Sequence, residues 1–366
     1  GLESMKHGIK KGFALLVMLC VILAGWFADI PGISGEDAAA AVRMQVHFLD
    51  VGQGNSVLVK QGSHFMLYDG GDAKASSKVV SYLKKQGVKK LDYVVVSHYD
   101  ADHLNGVIGA LHVFGVKKVL APDYTTDSAV YRSFRTVMKQ KGLTSVHPRV
   151  GKKYRLGKAS FTILAPGSKS YTDENNYSIA MRLVCGSASF MMTGDAEAQS
   201  EYEMMESGQK LRSDVYLCGH HGSSSSSTQG FLKAVRPKYA VISCGAGNSY
   251  GHPTAQTMSR LKSLGCKVYR TDEQGDIVAS SDGRTIRFNH KPSTTWADGS
   301  GHKATPAPDQ GSPSGAVETS YIGNKNSRVF HRPSCRNLPY KKNQVIFKTR
   351  DAAVNAGYRA CGNCNP

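Results

Sequence analysis

One buried strand that empties into four ligating side chains constrains this chain more than any other feature. Leu91–Ser97 (LDYVVVS) is an almost continuous apolar run of strand length, and His98, Asp100, Asp102 and His103 follow it at once. Imidazole nitrogens and carboxylate oxygens suit a divalent cation of borderline or hard character. A tight loop at a strand end can aim such groups at one point. A solvated, charged loop is the competing reading. The density of ligands, the buried strand before them and Gly106 after them favour a metal centre.

Weaker signals of the same kind recur at other strand ends. Tyr68-Asp69-Gly70-Gly71, Thr193-Gly194-Asp195, Gly219-His220-His221-Gly222-Ser223 and Tyr250-Gly251-His252-Pro253 each follow an apolar run. Taken singly, an Asp before Gly is an ordinary turn. Repeated at successive strand termini, these groups point to one working edge of a layered α/β fold. From Met44 to Lys291 short strands alternate with helical spacing such as Lys74–Gln86. The paired strands within 161–193 break the regular alternation of a doubly wound parallel sheet. The expected fold class is therefore α/β, with two mixed sheets sandwiched between helices.

The remaining segments set the domain organisation. Gly1-Leu2-Glu3-Ser4 precede Met5 and are set aside as a cloning remnant. Lys6, Lys10 and Lys11 then lead into the uncharged run Gly12–Ala28, read as an export signal or a single membrane anchor. Residues 1–43 are thus a leader, and the protein is expected to be secreted or held on the outer face of the cytoplasmic membrane. Residues 44–291 form the main domain, and 292–320, rich in Pro, Gly, Ser and Thr, form a linker. Residues 321–366 form a second unit. His331-x3-Cys335 and Cys361-x2-Cys364 give it one His and three Cys, the donor set of a closed tetrahedral zinc site. So short a unit has little core, and a structural metal compensates. Three Cys would leave one thiol over in any disulfide scheme. Cys185, Cys218, Cys244 and Cys266 lie in or beside apolar strands and read as buried thiols.

Composition narrows the function. The chain is 40% hydrophobic, too apolar to be disordered throughout, and its eight Cys are too few for a disulfide scaffold. The net charge of +18 leaves open a polyanionic partner: nucleic acid, a teichoic polymer or an anionic membrane. It is densest in residues 321–366, where nine Lys and Arg face one Asp.

Together with Phe48-Leu49-Asp50-Val51-Gly52-Gln53-Gly54, the strand-end motifs resemble the metallo-β-lactamase superfamily of dinuclear metal hydrolases. Within it they are most similar to the soluble hydrolase domain of the ComEC-type competence proteins. The resemblance implies an αββα sandwich and two divalent ions, zinc or manganese, with magnesium a further option. It assigns His98, Asp100 and Asp195 to one ion. Asp102, His103, Asp195 and one of His220 or His221, with His221 preferred, go to the other. Asp102 also belongs to the reacting centre, with Asp69 as support and His220 and His252 for phosphate contact or leaving-group protonation. The chain departs from the pattern in three places. Asp100 stands where the superfamily has its second His, Asn175-Asn176-Tyr177-Ser178 stands where a separate His precedes the bridging Asp, and Asn55 stands where the branch commonly has Asp. Ser223–Ser227 either offers hydroxyls to a phosphate or is a flexible loop.

Val329–Cys335, Ala352-Ala353, Gly357-Tyr358-Arg359 and Cys361-Gly362-Asn363-Cys364 resemble the zinc-binding module of the Ada DNA-repair protein. That module's methyl-accepting first Cys is His331 here, so methyl transfer is not implied. The expected function is a metal-dependent phosphodiesterase or nuclease acting on extracellular DNA. A phosphodiesterase for teichoic acid or phosphorylcholine esters and a DNA-capture protein are the alternatives. No protein partner is expected.

Overall fold

The computed structural model describes residues 43–301 except 169, and 320–361 except 334, 336, 337 and 340. The leader and Cys364 lie outside the described residues. Among those described, no helix is long and apolar enough to cross a membrane.

The chain begins with a meander of β1 (Met44–Phe48), β2 (Val57–Gln61) and β3 (His64–Tyr68), paired antiparallel. Crossover helices α1 (Ser76–Lys85), α2 (Ala101–Val113) and α3 (Ala129–Gln140) then interleave with β4 (Lys90–Val95), β5 (Gly115–Leu120) and β6 (Ser145–Val146). From β3 to β6 the pairing is parallel. The second sheet repeats this plan. β7 (Lys153–Leu156), β8 (Ala159–Ala165), β9 (Ala180–Cys185) and β10 (Ala188–Met192) are antiparallel. β11 (Val215–Leu217), β12 (Tyr239–Ile242) and β13 (Lys267–Arg270) continue in parallel, joined through α4 (Ala198–Glu206), α5 (Gln229–Val235) and α6 (Ala255–Ser263). After a short turn of helix, α7 (Thr271–Gln274), the chain returns to the first sheet as β14 (Ile277–Ser281) and β15 (Ile286–Phe288).

Three apolar layers hold these elements together. Met44, Val46 and Phe48, alternating along β1, meet Phe161, Met181 and Phe190 between the sheets. Period-2 patterning puts such residues on one face. α1, α2 and α3 cover the outer face of the first sheet through Val79, Leu83, Leu104, Phe134 and Val137. α4, α5 and α6 do the same for the second through Met204, Phe231 and Leu261. α3 shows the local logic. Ser128 caps it by accepting from Tyr131 N at 3.2 Å, and Tyr131, Phe134, Val137 and Met138 form its buried stripe. The result is the helix–sheet–sheet–helix sandwich expected from the sequence.

One expectation needs correction. The first compact unit extends to Gly299, past the expected boundary at 291. Ser293 N donates to Val268 O at 2.7 Å, Trp296 packs on the second sheet's core, and the buried Arg270 donates to Ala297 O. A Pro/Ser/Thr composition marked these residues as linker because it does not reveal a docked edge. Three short strands, β6, β7 and β15, carry too little alternation to stand out.

The second unit, described by itself, is a small sheet of β16 (Tyr321–Asn324), β17 (Val329–His331), β18 (Gln344–Phe347) and β19 (Arg359–Ala360) with one helix, α8 (Arg350–Asn355). Thr349 caps that helix by accepting from Ala352 N at 3.0 Å. Its buried apolar cluster among the described residues is Phe330, Ala353 and Tyr358.

Candidate metal centre

The loops that leave the carboxyl ends of β3, β4, β10 and β11 converge on one buried cluster. Asp69, just past β3, is held at φ +57° and is fully buried. Its carboxylate accepts from Ser97 N at 2.7 Å, Ser97 Oγ at 2.8 Å and Asn55 Nδ2 at 3.2 Å, and it lies 2.8 Å from His103 Nδ1. A left-handed, non-glycine residue costs about 1–3 kcal/mol. His220 and His221, consecutive at φ +48° and +55°, carry the same cost.

The histidines share one arrangement. His103 directs Nδ1 to Asp69, and His221 donates from Nδ1 to Ser243 O at 2.9 Å. His98 Nδ1 lies 3.0 Å from Ser97 Oγ and 3.5 Å from Ser178 Oγ. His220 Nδ1 lies 3.2 Å from both Glu197 Oε1 and Ser225 Oγ. An engaged Nδ1 fixes the ring and leaves Nε2 to face the centre. There, His103 Nε2 is 3.2 Å from His221 Nε2 and 3.2 Å from Asp195 Oδ1. The other Asp195 oxygen lies 3.3 Å from His221 Nε2 and 3.7 Å from His220 Nε2. Asp102 Oδ2 is 3.2 Å from His221 Nε2, and Asp100 Oδ2 is 3.6 Å from His98 Nε2.

These groups demand positive charge. Burial would push His103 down, but the carboxylates of Asp195, Asp69 and Asp102 outweigh it and hold the ring well above the usual imidazole range. Burial likewise opposes ionisation of Asp195, and His103, His221 and His220 nevertheless hold it well below the usual carboxylate range. His252 behaves oppositely. Burial, then the neighbouring His220 and His221, push it down to about 3, leaving a neutral ring. That ring stacks 6.4 Å from His221 and meets His220 edge-on at 5.5 Å.

The donor set fits divalent cations. Ligand atoms of His98, His103 and Asp195 lie within 4.8 Å of one another, as do those of Asp102, His103 and His221. His98 Nε2 is buried with no hydrogen-bond partner among the described residues, which is costly unless a cation takes it. Ions bound there would lower the pKa of water and stabilise charge on an attacked ester oxygen. The protein's own part is orientation. Asp69 keeps the His103 ring fixed, Glu197 and Ser225 fix His220, and the two Asp195 oxygens face different histidines.

The structure sorts the expected residues unequally. His98, Asp102, His103, Asp195 and His221 come together, while His220 and His252 line the rim. Asp100 also sits at the rim, its side chain 51% exposed and its Oδ2 3.6 Å from His98 Nε2, while the ligand atoms of His103 gather with those of His98 and Asp195. The Ser223–Ser227 segment is not a flexible loop. Ser226 and Ser227 are fully buried. Glu201 accepts from Thr228 N at 2.9 Å, and Arg260 donates to the carbonyls of Ser224, Ser226 and Ser227 at 3.0–3.2 Å. Ser97, Ser178, Glu197 and Gln53 also serve the centre, Gln53 through His252 Nδ1 at 3.5 Å. Ser97, Ser178 and Gln53 lay inside motifs already singled out. Nothing about residue type marked Glu197.

The first turn of α2, which carries Asp102 and His103, is clamped from behind. Gly70 N donates to His103 O at 2.7 Å, Asn55 N to Asp102 O at 3.1 Å, and Gly106 N to Gly71 O at 3.1 Å. A Cβ on Gly106 would lie 1.8 Å from Gly70 O. Gly106→Ala should therefore push α2 off the β3 turn. Chemical denaturation should register a loss of about 3 kcal/mol or more, with a parallel loss of bound metal.

In the second unit His331, Cys335 and Cys361 bring their ligand atoms within 4.8 Å, with His331 Nδ1 3.4 Å from Cys335 Sγ. All three are buried.

A four-layer sandwich with a His/Asp cluster at its strand ends defines a class of metal hydrolases. Residues 49–246 match the metallo-beta-lactamase superfamily, and the chain belongs to it. Residues 314–366 match the metal binding domain of Ada. Among curated proteins, the chain is 33% identical to competence protein ComA of Neisseria gonorrhoeae over 273 residues, 74% of this chain and 36% of that protein. It is 26% identical to ComE operon protein 3 of Bacillus subtilis over 272 residues, 69% of this chain and 35% of the relative. It is 30% identical to recombination protein 2 of Haemophilus influenzae over 238 residues, 64% of this chain and 28% of the relative. The chain thus spans about a third of the length of these relatives.

Proposed function

We propose that this protein is a metal-dependent phosphodiesterase that cleaves DNA outside the cytoplasm, exported or anchored by its apolar leader. One observation carries the reading: a buried carboxylate, Asp195, faces His103 and His221 with separate oxygens at 3.2 and 3.3 Å. A group so placed can bridge two cations, the arrangement suited to in-line displacement at phosphorus. The cluster holds His98, Asp102, His103 and His221, with Asp100 closing the first ion's rim. His220 and His252 border the cluster where the scissile phosphate would lie.

Charge and relatives support a DNA substrate. Each phosphate contact releases counterions, so a chain of +18 gains affinity for a phosphodiester polymer. Recombination, in the name of one relative, is a process of DNA. The basic zinc module would hold the polymer while the metal centre cuts it. Glycerol- or ribitol-phosphate polymers share the ester but lack bases.

Metal-loaded protein is expected to nick or degrade plasmid in the presence of Mn²⁺, Mg²⁺ or Zn²⁺. EDTA and the Asp102→Ala/His103→Ala variant should both abolish this. If plasmid and oligonucleotide stay intact while bis-p-nitrophenyl phosphate is cleaved, the DNA substrate is wrong and the phosphodiesterase survives. Tight DNA binding without turnover of either substrate would favour the capture protein.

A further inference from the structure

The end of the sandwich opposite the metal centre is basic. β3 begins there, at His64, and ends beside Asp69, so the two ends lie roughly 17 Å apart along that strand. Four hairpin turns gather at this end, over residues 62–63, 157–158, 186–187 and 282–285. Contacts join them across the two sheets. Lys158 N donates to Gln61 Oε1 at 2.8 Å, and Ser187 N donates to Gly283 O at 2.7 Å. Gln61 Nε2 donates to Arg43 O at 3.4 Å, which places the start of β1 in the same group.

Arg43, Lys60, Lys158, Arg284 and Arg287 stand in or beside these turns, and all but Lys60 are exposed. Asp282 is the one carboxylate within the turns, and it accepts from Arg284 N at 2.9 Å and Thr285 N at 2.7 Å. Asp92, on the neighbouring β4, is already paired with Lys117 at 2.5 Å. Cations at a helix C-terminus offset the helix dipole, but hairpins have little dipole to offset. The charge also frames a cavity of about 490 Å³. Arg287, Ser280, Gln45 and Lys60 line it in one row, paired in register across β15, β14, β1 and β2. Gln45 Nε2 donates to Ser280 Oγ at 3.3 Å, and Lys60 Nζ to Gln86 O, just past α1, at 3.3 Å. An amide and a hydroxyl between two cations, with Arg43 also in the lining, suit a phosphate ester that carries hydroxyls of its own.

Arg43 is also where the chain enters the sandwich. Fourteen residues separate it from Ala28, the last of the apolar run, a reach of at most about 50 Å. A basic surface beside a membrane anchor is what an anionic leaflet attracts. DNA fits the charge but not the place, since a polymer lying here is at the far end of the sandwich from the cluster that would cut it.

We infer that this end is a membrane-facing surface that seats on anionic phospholipid headgroups, one of them in the cavity, and so turns the metal centre away from the bilayer. The inference builds on the anchored form of the function proposed above and adds an orientation to it.

The full chain on vesicles of phosphatidylcholine, alone or with an equal part of phosphatidylglycerol, tests this. Lysines are acetylated with a membrane-impermeant ester and mapped by mass spectrometry. Lys158 should react at least about fivefold more slowly on the anionic vesicles, the factor that one cation near such a surface contributes. Lys74, exposed just before α1 at the metal-centre end, should react equally on both. Arg43→Ala/Arg284→Ala/Arg287→Ala should return Lys158 to its rate on neutral vesicles and leave bound metal unchanged. Lys74→Ala/Arg132→Ala/Lys291→Ala removes equal charge from the other end and should leave Lys158 protected.

Equal reactivity of Lys158 on the two kinds of vesicle, or equal loss of protection in the two triple variants, would overturn the surface. So would a duplex oligonucleotide that protects Lys158 as strongly as the anionic bilayer, which would make this end a nucleic-acid surface. Flotation with the vesicles distinguishes the surface from the anchor. If the chain floats with both kinds while Lys158 stays reactive, the surface falls and the anchor stands. If it floats only with anionic vesicles and Lys158 is protected, the surface stands and the anchor falls.

Discussion

Asp195→Asn should strip the His/Asp cluster of its metal and lower the proposed phosphodiesterase activity by more than about a hundredfold. A hundredfold is the upper figure for losing a group that merely orients a ligand, and Asp195 is placed to be a ligand itself. Its side chain is only 6% exposed and lies between three imidazoles. Asn keeps the shape but removes the charge, and its amide turns a donor toward Nε2 atoms. The cluster then has one negative charge fewer with which to hold a cation. Metal analysis should show the catalytic metal gone and the zinc of the second unit retained. Asp100→Ala is the comparison. With half of its side chain in water, Asp100 should cost less, and an equal loss from both variants would mean that the rim carboxylate matters as much as the buried one.

Removing zinc from the second unit should unfold that unit while the first stays intact. Among the described residues, the buried apolar cluster there is Phe330, Ala353 and Tyr358. Three residues of that size cannot offset the backbone entropy of more than forty. A structural zinc contributes about 10–16 kcal/mol in small modules, enough to decide the fold. In the full chain, Cys335→Ser or a strong chelator should open residues 320–361 to limited proteolysis. The sandwich over 43–299 should resist under the same conditions. Resistance of both units to protease would show that the module folds without metal.

The site was legible wherever chemistry is concentrated in sequence. His98, Asp102 and His103 fall within six consecutive residues, and no packing argument was needed to suspect them. The sandwich was legible from the same source. Alternating apolar positions in β1 and amphipathic spacing in helices report which face is buried. What failed to register was structure without periodicity: two-residue β6, edge strands β7 and β15, and the docked 292–299 segment.

Roles were harder to read than identities. Composition makes Ser223–Ser227 a supple loop, yet Glu201, accepting from Ser227 N, and Arg260, from two helices outside it, fix its backbone. Asp100 and Asp102 are the same residue type two positions apart. In the fold, Asp102 turns toward His221 and Asp100 toward solvent, because α2 begins between them.

The sequence by itself determined the donor inventory, the layered class and the two metal-binding units, since each depends on residue type and spacing along a few residues. Only the tertiary structure decided which donors meet. Asp69, His103, Asp195 and His221 come from four strand ends, joined by the pairing of sheets that no local pattern encodes.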